Sequence, residues 1–112
     1  MAEWHNWSGK LRAEPKAVVR PKSEGAVVGL IDQARAEGTR IRCVGAAHSH
    51  APLAVTEGLL LDLEALTGVV RCDVEARTAT VLPATRIHQL GPTLRASGLA
   101  LSNQGDIDRQ AI

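Results

Sequence analysis

The sequence predicts an α+β fold that begins with a βαβ unit, continues with mixed β-strands and contains a second helix. Two short β-rich runs, Ala17 to Pro21 and Arg40 to Val44, flank a segment whose apolar residues recur at helical spacing. Two alternating runs then lie on either side of Ala76-Arg77, and residues 86–97 carry apolar side chains on one helical face. At 112 residues the chain has the length of one domain, residues 1–112.

The first helix has clear start and stop signals. Ser23 occupies the position of an N-cap, Glu24 lies in the first turn, and Gly38 follows the last turn, so we predict a helix over residues 24–37. Its apolar face consists of Val27, Leu30, Ile31 and Ala34. The strands on either side should be parallel, because a crossover helix connects them.

The rest of the chain predicts shorter elements. Leu59 to Leu63 is a continuous apolar strand, and the two runs around Ala76-Arg77 form a hairpin. In the second helix Gly91-Pro92 starts or kinks the helix, and Gly98 ends it. We expect residues 99–112 to form a short strand and a polar loop, and the first fifteen residues to be irregular.

Composition excludes several partners. Trp4 and Trp7 are the only aromatic residues, and the net charge of +1 comes without a basic stripe, so we predict no nucleic-acid partner. The apolar runs are too short to span a bilayer, so membrane association is not indicated. The N-terminus lacks the features of a secretion signal. Cys43 and Cys72 look like small buried strand residues of a cytoplasmic protein.

The segment Gly45-Ala46-Ala47-His48-Ser49 follows the second strand of the βαβ unit, where ligands gather in such units. Small residues let a ligand approach the main chain, and successive N–H groups can form a concavity that binds an anion such as a diphosphate. The alternative is a tight turn whose small residues only pack. The cluster of residues 102–106 is open to the same two interpretations, a ligand-contacting loop or a solvated turn.

His48 and His50 also allow a metal site, because an H-x-H on an extended segment places both rings on one side. This alternative is a metal-dependent hydrolase. A catalytic site needs at least three protein ligands, and the other candidates, His5, His88 and scattered carboxylates, have no recognisable spacing. We expect no metal site, and we interpret His88 as a surface or capping residue.

Four segments together resemble the N-terminal part of the vanillyl-alcohol-oxidase-type flavoproteins. They are "NWSG" (6–9), "VVRPKSE" (18–24), "VGAAHSH" (44–50) and "LALSNQGDIDRQAI" (99–112). Within that family the chain is most similar to the branch of gulonolactone, arabinonolactone and alditol oxidases or dehydrogenases. The resemblance implies the first subdomain of an FAD-binding domain of the PCMH type, incomplete because the family's chain is much longer.

The resemblance also implies which residues bind FAD. The family's pyrophosphate loop corresponds to Val44, Gly45, Ala46, Ala47, His48, Ser49 and His50. A second cofactor-contacting loop corresponds to Asn103, Gly105, Asp106, Gln110 and Ile112. In many members the residue at the position of His48 bonds covalently to the flavin 8α-methyl carbon. Relatives commonly have Gly or Ser at the positions of Ala46 and Ala47, and Phe or Pro at that of His50.

The activity implied for the full-length protein is that of an FAD-dependent oxidoreductase. It would oxidise the CH–OH group of a small polyol or sugar lactone by hydride transfer to flavin N5. The chain ends at Ile112 without a closing turn, so we expect the substrate domain and the catalytic residues to lie beyond these 112 residues. The alternative from another class is an inactive small α+β module that self-associates through unpaired strand edges.

Overall fold

The computed structural model describes residues 2–112, which divide between Ala65 and Leu66 into two compact units. The first unit contains β1 (Trp4–His5), β2 (Arg12–Ala13), β3 (Ala17–Val19), α1 (Glu24–Glu37), β4 (Ile41–Val44) and β5 (Leu59–Asp62). The second contains β6 (Val69–Asp73), β7 (Thr78–Val81) and α2 (Ile87–Ala96). This mixture of helices and small sheets confirms the predicted α+β class.

The first unit is built on a three-stranded parallel sheet in the order β3-β5-β4. Leu59 pairs with Ala17 of β3 and with Ile41 of β4. The two strands of the predicted βαβ unit are therefore parallel, as expected, but they are separated by β5. A strand in the middle of a parallel sheet is covered on both faces, which explains why β5 is a continuous apolar run.

Helix α1 has the predicted bounds. The Ser23 hydroxyl accepts a hydrogen bond from the N–H of Ala26 at 3.1 Å, and Gly38 ends the helix at φ 64°, a left-handed conformation that glycine adopts without strain. Of the four predicted apolar positions, Ala34 is buried, Val27 and Leu30 are partly buried in the same core, and Ile31 is exposed. The apolar face is therefore narrower than the spacing predicts.

The two faces of β5 make two separate cores. Leu59 and Leu61 pack with Ala34 of α1 on one face. Leu60 packs on the other face with Val44 and Ala54, and Trp4 and Ala47 lie against that cluster. The second core matters for the site, because it anchors both ends of the segment that follows β4.

Gly58 allows β5 to begin beside β4. A Cβ atom at Gly58 would overlap the backbone carbonyl of Arg40, to which the N–H of Leu59 donates at 2.8 Å. The N–H of Gly58 itself donates a hydrogen bond to the hydroxyl of the buried Thr56 at 3.0 Å. No residue larger than glycine fits this approach of two main chains.

The sequence predicts that the first fifteen residues are irregular, but the structure contains a strand pair there. Strands β1 and β2 pair antiparallel, with Trp4 opposite Ala13 and His5 opposite Arg12. Each strand is two residues long. Such short strands carry no measurable alternation, so the sequence pattern could not show them.

In the second unit the predicted hairpin is present. Strands β6 and β7 pair antiparallel around a turn in which Arg77 has φ 57°. Helix α2 begins at Ile87, so the alternative in which Gly91-Pro92 starts the helix is wrong. Its buried residues are Leu90 and Leu94.

Two further predictions are wrong. Residues 99–112 contain no strand, and their only pairing within the described chain is an isolated antiparallel bridge between Arg86 and Ala111. Cys43 is exposed and Cys72 only partly buried, so neither is a core residue. Both lie on strands at the edge of their sheets. Within residues 2–112, no helix is long and apolar enough to cross a membrane.

Candidate cofactor-binding site

The first group of predicted site residues forms one continuous segment at the carboxyl end of β4. Val44 is buried in the second core, and the chain then leaves the sheet as a loop. Gly45 is exposed, while Ala46, Ala47 and His48 are half-buried. Ser49 and His50 are exposed. The structure thus places this group together, beyond the end of a parallel strand, where α/β folds bind ligands.

The backbone of this loop carries free hydrogen-bond donors. Within residues 2–112, the N–H groups of residues 45–48 have no acceptor in the protein. Ala47 has φ 59°, in the left-handed region that non-glycine residues adopt at a cost of about 1 kcal/mol or more. Its carbonyl oxygen accepts a hydrogen bond from the backbone N–H of Trp7 at 3.1 Å. A left-handed residue among helical or extended ones can turn neighbouring N–H groups toward one point, as in anion-binding nests.

His48 carries an unsatisfied ring nitrogen. Its Nδ1 atom is buried and has no hydrogen-bond partner in the described part of the chain. The ring lies edge to face with the indole of Trp7, with centroids 6.5 Å apart and planes at 61°. His50 makes a closer contact of the same kind with Trp7, at 5.5 Å and 73°. Both imidazoles are therefore held on the same aromatic side chain.

Asn6 connects the N-terminal hairpin to this loop. Only 2% of its surface is exposed, and its Nδ2 atom donates to the carbonyl of Ser49 at 3.1 Å. The residue type of Asn6 does not by itself indicate this contact. The only available signal was its place in the "NWSG" segment, because a contact between residues 43 positions apart leaves no local pattern.

An ion-pair cluster lies at the same carboxyl edge of the sheet. Arg20, which follows β3, contacts the carboxylates of Asp62 at 2.8 Å and Glu64 at 3.1 Å. Hydrogen bonding and charge attraction from Asp62, together with the charge of Glu64, raise the pKa of Arg20 above its ordinary value. Asp62 is the register partner of Val44, so its charge is compensated next to the start of the loop.

These features fit a diphosphate-containing cofactor. Diphosphate oxygens require several N–H donors that are not already bound, and residues 45–48 supply them. Side chains no larger than a methyl group at residues 45–47 leave the main chain accessible. The unpartnered Nδ1 of His48 is the kind of buried polar atom that a bound group satisfies.

A large groove of the first unit lies elsewhere. It has a volume of about 1350 Å³ and includes none of residues 44–50. Its lining combines acidic and basic side chains with the start of β5: Glu3, Arg12, Ala13, Glu14, Arg40, Arg42, Val55, Thr56, Glu57 and Gly58. Because positive and negative groups alternate there, and Arg12 is paired with Glu3 at 3.7 Å, this groove offers no concentrated field for a dianion.

The second group of predicted residues lies in the other unit. Asn103, Gly105, Asp106 and Ile112 are exposed, and Gln110 is half-buried. A Cβ atom at Gly105 would lie 3.3 Å from Oε1 of Gln110, so two of the predicted residues are in close approach. The predicted site residues thus form two groups, one in each compact unit.

Hydrogen bonds connect residues 108–110, near the end of the second group, to the first turn of α2. The N–H of Ile87 donates to the carbonyl of Gln110 at 3.0 Å, and the N–H of His88 donates to that of Asp108 at 2.8 Å. Nδ1 of His88 lies 3.0 Å from the same Asp108 carbonyl, and His88 is exposed, which agrees with the surface alternative predicted for it and not with the capping one. These donors are occupied by the chain itself, so the N-terminus of α2 does not supply them to an anion.

The metal alternative receives no geometric support. Anywhere in residues 2–112, no group of three or more His, Cys, Asp or Glu side chains lies close enough to hold a metal ion. Cys43 lies on β4 beside the loop, and although its side chain is exposed at the surface, desolvation by neighbouring atoms raises the pKa of its thiol. A raised pKa disfavours the thiolate, which is the form that binds metals and acts as a nucleophile.

Comparison with known proteins supports the same assignment. A family model described as "FAD binding domain" matches residues 15–112. L-gulono-1,4-lactone dehydrogenase of Mycobacterium tuberculosis is 39% identical over 109 residues, which are 97% of this chain and 26% of that protein. D-arabinono-1,4-lactone oxidase of Eremothecium gossypii is 35% identical over 111 residues, 96% of this chain and 21% of that protein.

The fold is also found in solved structures. Cholesterol oxidase from B. sterolicum superimposes with a TM-score of 0.79 over 97% of this chain and 22% of that one, at 24% identity. The chain spans about a quarter of the length of the curated relatives named above. These findings confirm the predicted cofactor, FAD. The chain belongs to the FAD binding domain family and corresponds to the N-terminal part of the PCMH-type domain of vanillyl-alcohol-oxidase-type flavoproteins, in their sugar-lactone oxidoreductase branch.

Proposed function

We propose that the chain binds FAD for an oxidoreductase that oxidises a CH–OH group of a sugar lactone or alditol. The observation that carries this proposal is the loop after β4, whose N–H groups at residues 45–48 are free and whose His48 has a buried, unpartnered Nδ1. The substrate class rests on the relatives, which are named for gulono- and arabinono-lactones.

In this proposal the backbone of residues 44–48 binds the diphosphate. The loop N–H groups donate to phosphate oxygens, and the small side chains of Gly45, Ala46 and Ala47 leave room for them. Hydrogen bonds from N–H groups to an anion are about twice as strong as those between neutral groups. Ser49 and His50 extend the same surface, and both are exposed.

The second segment would contact the cofactor from residues 103–112. Asn103 and Asp106 present amide and carboxylate groups at the surface, and Gly105 leaves main chain accessible beside Gln110. The N–H of Ile112 donates a hydrogen bond to the carbonyl of Thr85 at 2.9 Å. When bound, FAD supplies the hydride acceptor at its N5 atom.

His48 is the residue through which FAD would be attached covalently. Its imidazole lies edge to face with the indole of Trp7. After acid precipitation, the flavin colour should stay with the wild-type protein and be released from a His48→Ala variant. A His88→Ala variant is the control, because His88 bonds only within the second unit. Colour released equally from wild type and both variants would refute attachment at His48.

The binding proposal is tested by titrating FAD and following its fluorescence. An Ala46→Glu variant places a carboxylate beside the free N–H groups and should weaken FAD binding about tenfold or more, because like charges in contact cost several kcal/mol. An Ala36→Glu variant on the exposed face of α1 adds the same charge away from the loop and should bind FAD like the wild type. Wild-type protein that takes up no FAD would end the proposal.

We also propose that these 112 residues do not turn over substrate by themselves, since they span only 26% of the dehydrogenase relative. Self-association is proposed on the open edge of β4 and on the exposed Val28 and Ile31 of α1. Size-exclusion chromatography tests it, and a monomer at all concentrations would refute it. A cytoplasmic location is proposed on composition alone and is testable by cell fractionation.

A further inference from the structure

The turn at Asn6 and Trp7 makes two long-range hydrogen bonds to the loop after β4. The N–H of Trp7 donates to the carbonyl of Ala47 at 3.1 Å, and Nδ2 of Asn6 donates to the carbonyl of Ser49 at 3.1 Å. These carbonyls belong to the residues immediately before and after His48. The backbone on both sides of His48 is therefore tied to the same turn.

The turn is itself rigidly built. Oδ1 of Asn6 accepts from the N–H of Leu11 at 3.2 Å and from the hydroxyl of Ser8 at 3.1 Å. The N–H of Asn6 donates to the carbonyl of Leu11 at 3.0 Å. Both polar side-chain atoms of this buried residue therefore make hydrogen bonds. Oδ1 bonds only within the turn, whereas Nδ2 bonds only to the loop after β4.

We propose that Asn6 and Trp7 are positioning residues that preset the loop and the His48 ring before the cofactor arrives. The proposal rests on the proposed function, because presetting matters only if the loop binds a ligand. Ala47 holds a strained φ of 59°, and the hydrogen bond from Trp7 to its carbonyl stabilises that conformation. The edge contacts of the Trp7 indole with His48 and His50 restrict both rings. A preset loop loses less conformational entropy on binding, which increases affinity without new contacts.

An Asn6→Asp variant separates the two roles of Asn6. Both carboxylate oxygens accept hydrogen bonds, so those from Leu11 and Ser8 can persist, but the donor to Ser49 is lost. The matched control is Ser8→Ala, which removes one hydrogen bond to Asn6 and leaves the donor to Ser49 in place.

The first readout is the NMR order parameter of the amides of residues 45–48 without FAD. In wild type and in Ser8→Ala we expect values near those of rigid backbone, about 0.85, and in Asn6→Asp values below about 0.6. The second readout is FAD affinity, which should fall about fivefold or more in Asn6→Asp, because the donor to Ser49 is replaced by a buried carboxylate oxygen that repels the Ser49 carbonyl. A fall in affinity without lower order parameters would be due to the added negative charge and would overturn the positioning role. Equal order parameters and affinities in the two variants would overturn the proposal.

Wild-type measurements keep the test decisive if Asn6→Asp does not fold. A preset loop should show the same amide order parameters with and without FAD, and a loop that becomes ordered only on binding FAD would overturn the proposal. The two ideas also fail separately. Wild-type protein that binds no FAD refutes the proposed function, whereas a flexible loop in protein that does bind FAD refutes only the positioning role.

Discussion

Replacing Thr85 by valine should destabilise the second unit by about 2 kcal/mol. Thr85 is 2% exposed, and its hydroxyl accepts from the N–H of Gly68 at 2.9 Å and donates to the carbonyl of Leu82 at 2.7 Å. Each such hydrogen bond contributes about 1 kcal/mol net, and valine has nearly the same shape, so no cavity forms. With a urea m-value of about 1–3 kcal/mol/M, the unfolding midpoint should fall by about 1 M.

The control for this prediction is Thr93→Val. Thr93 is exposed on α2, and its hydroxyl makes a long contact of 3.4 Å to the carbonyl of Gln89. Its replacement should change the free energy of unfolding by no more than about 0.5 kcal/mol. Unfolding is followed by the amide signals of β6 and β7, which report on this unit. Equal midpoints for the two variants would show that the buried hydroxyl of Thr85 is not a structural contact.

Gly58→Ala should destabilise the first unit by about 1–3 kcal/mol, because the new Cβ would overlap the backbone carbonyl of Arg40. Gly29→Ala, on an open face of α1, should instead stabilise the unit by about 0.5–1 kcal/mol. A thermal unfolding midpoint that moves in the same direction in both variants would contradict this reasoning. Glu37 should titrate below its ordinary pKa of 4.5, because the Gln33 amide and then Lys16 stabilise its carboxylate. Its contribution to stability is present above pH 4.5 and is lost as the pH falls through the lowered pKa. NMR titration should show that pKa rising in Gln33→Ala and in Lys16→Ala, and an unchanged value in both would contradict the assigned causes.

The parts of the fold that the sequence predicts are those with local signals. Helix α1 has a capping serine and a closing glycine, and β5 has an unbroken apolar run, so both were predictable from a few neighbouring residues. The order of strands in the sheet was not, since β5 inserts between β3 and β4 through contacts distant in sequence. The expected strand after Gly98 failed for a related reason. Alternation over three or four residues is too short to distinguish a strand from an extended coil.

The candidate site divides in the same way. The small residues 45–47 and the following His48 are contiguous, so the sequence could single them out. Asn6 could not be identified by residue chemistry, because what matters is its reach across the fold to the carbonyl of Ser49. The occupied N–H groups at the start of α2 were also invisible, since their acceptors at Asp108 and Gln110 are supplied by irregular chain.

The electrostatics of the sheet edge explain how a nearly neutral chain can accept a dianion. The carboxylate next to the start of the loop belongs to Asp62, and it would repel phosphate if it were unpaired. Arg20 forms ion pairs with Asp62 and with the neighbouring Glu64, so the carboxylates of these two residues are not left unpaired at this edge of the sheet. Because the donors of the loop are backbone N–H groups, their direction depends on chain conformation and not on flexible side chains. If the loop binds the diphosphate as proposed, affinity depends on how firmly Ala47 and Ser49 are held, and the hydrogen bonds from Trp7 and Asn6 then make the N-terminal turn a support of that binding site.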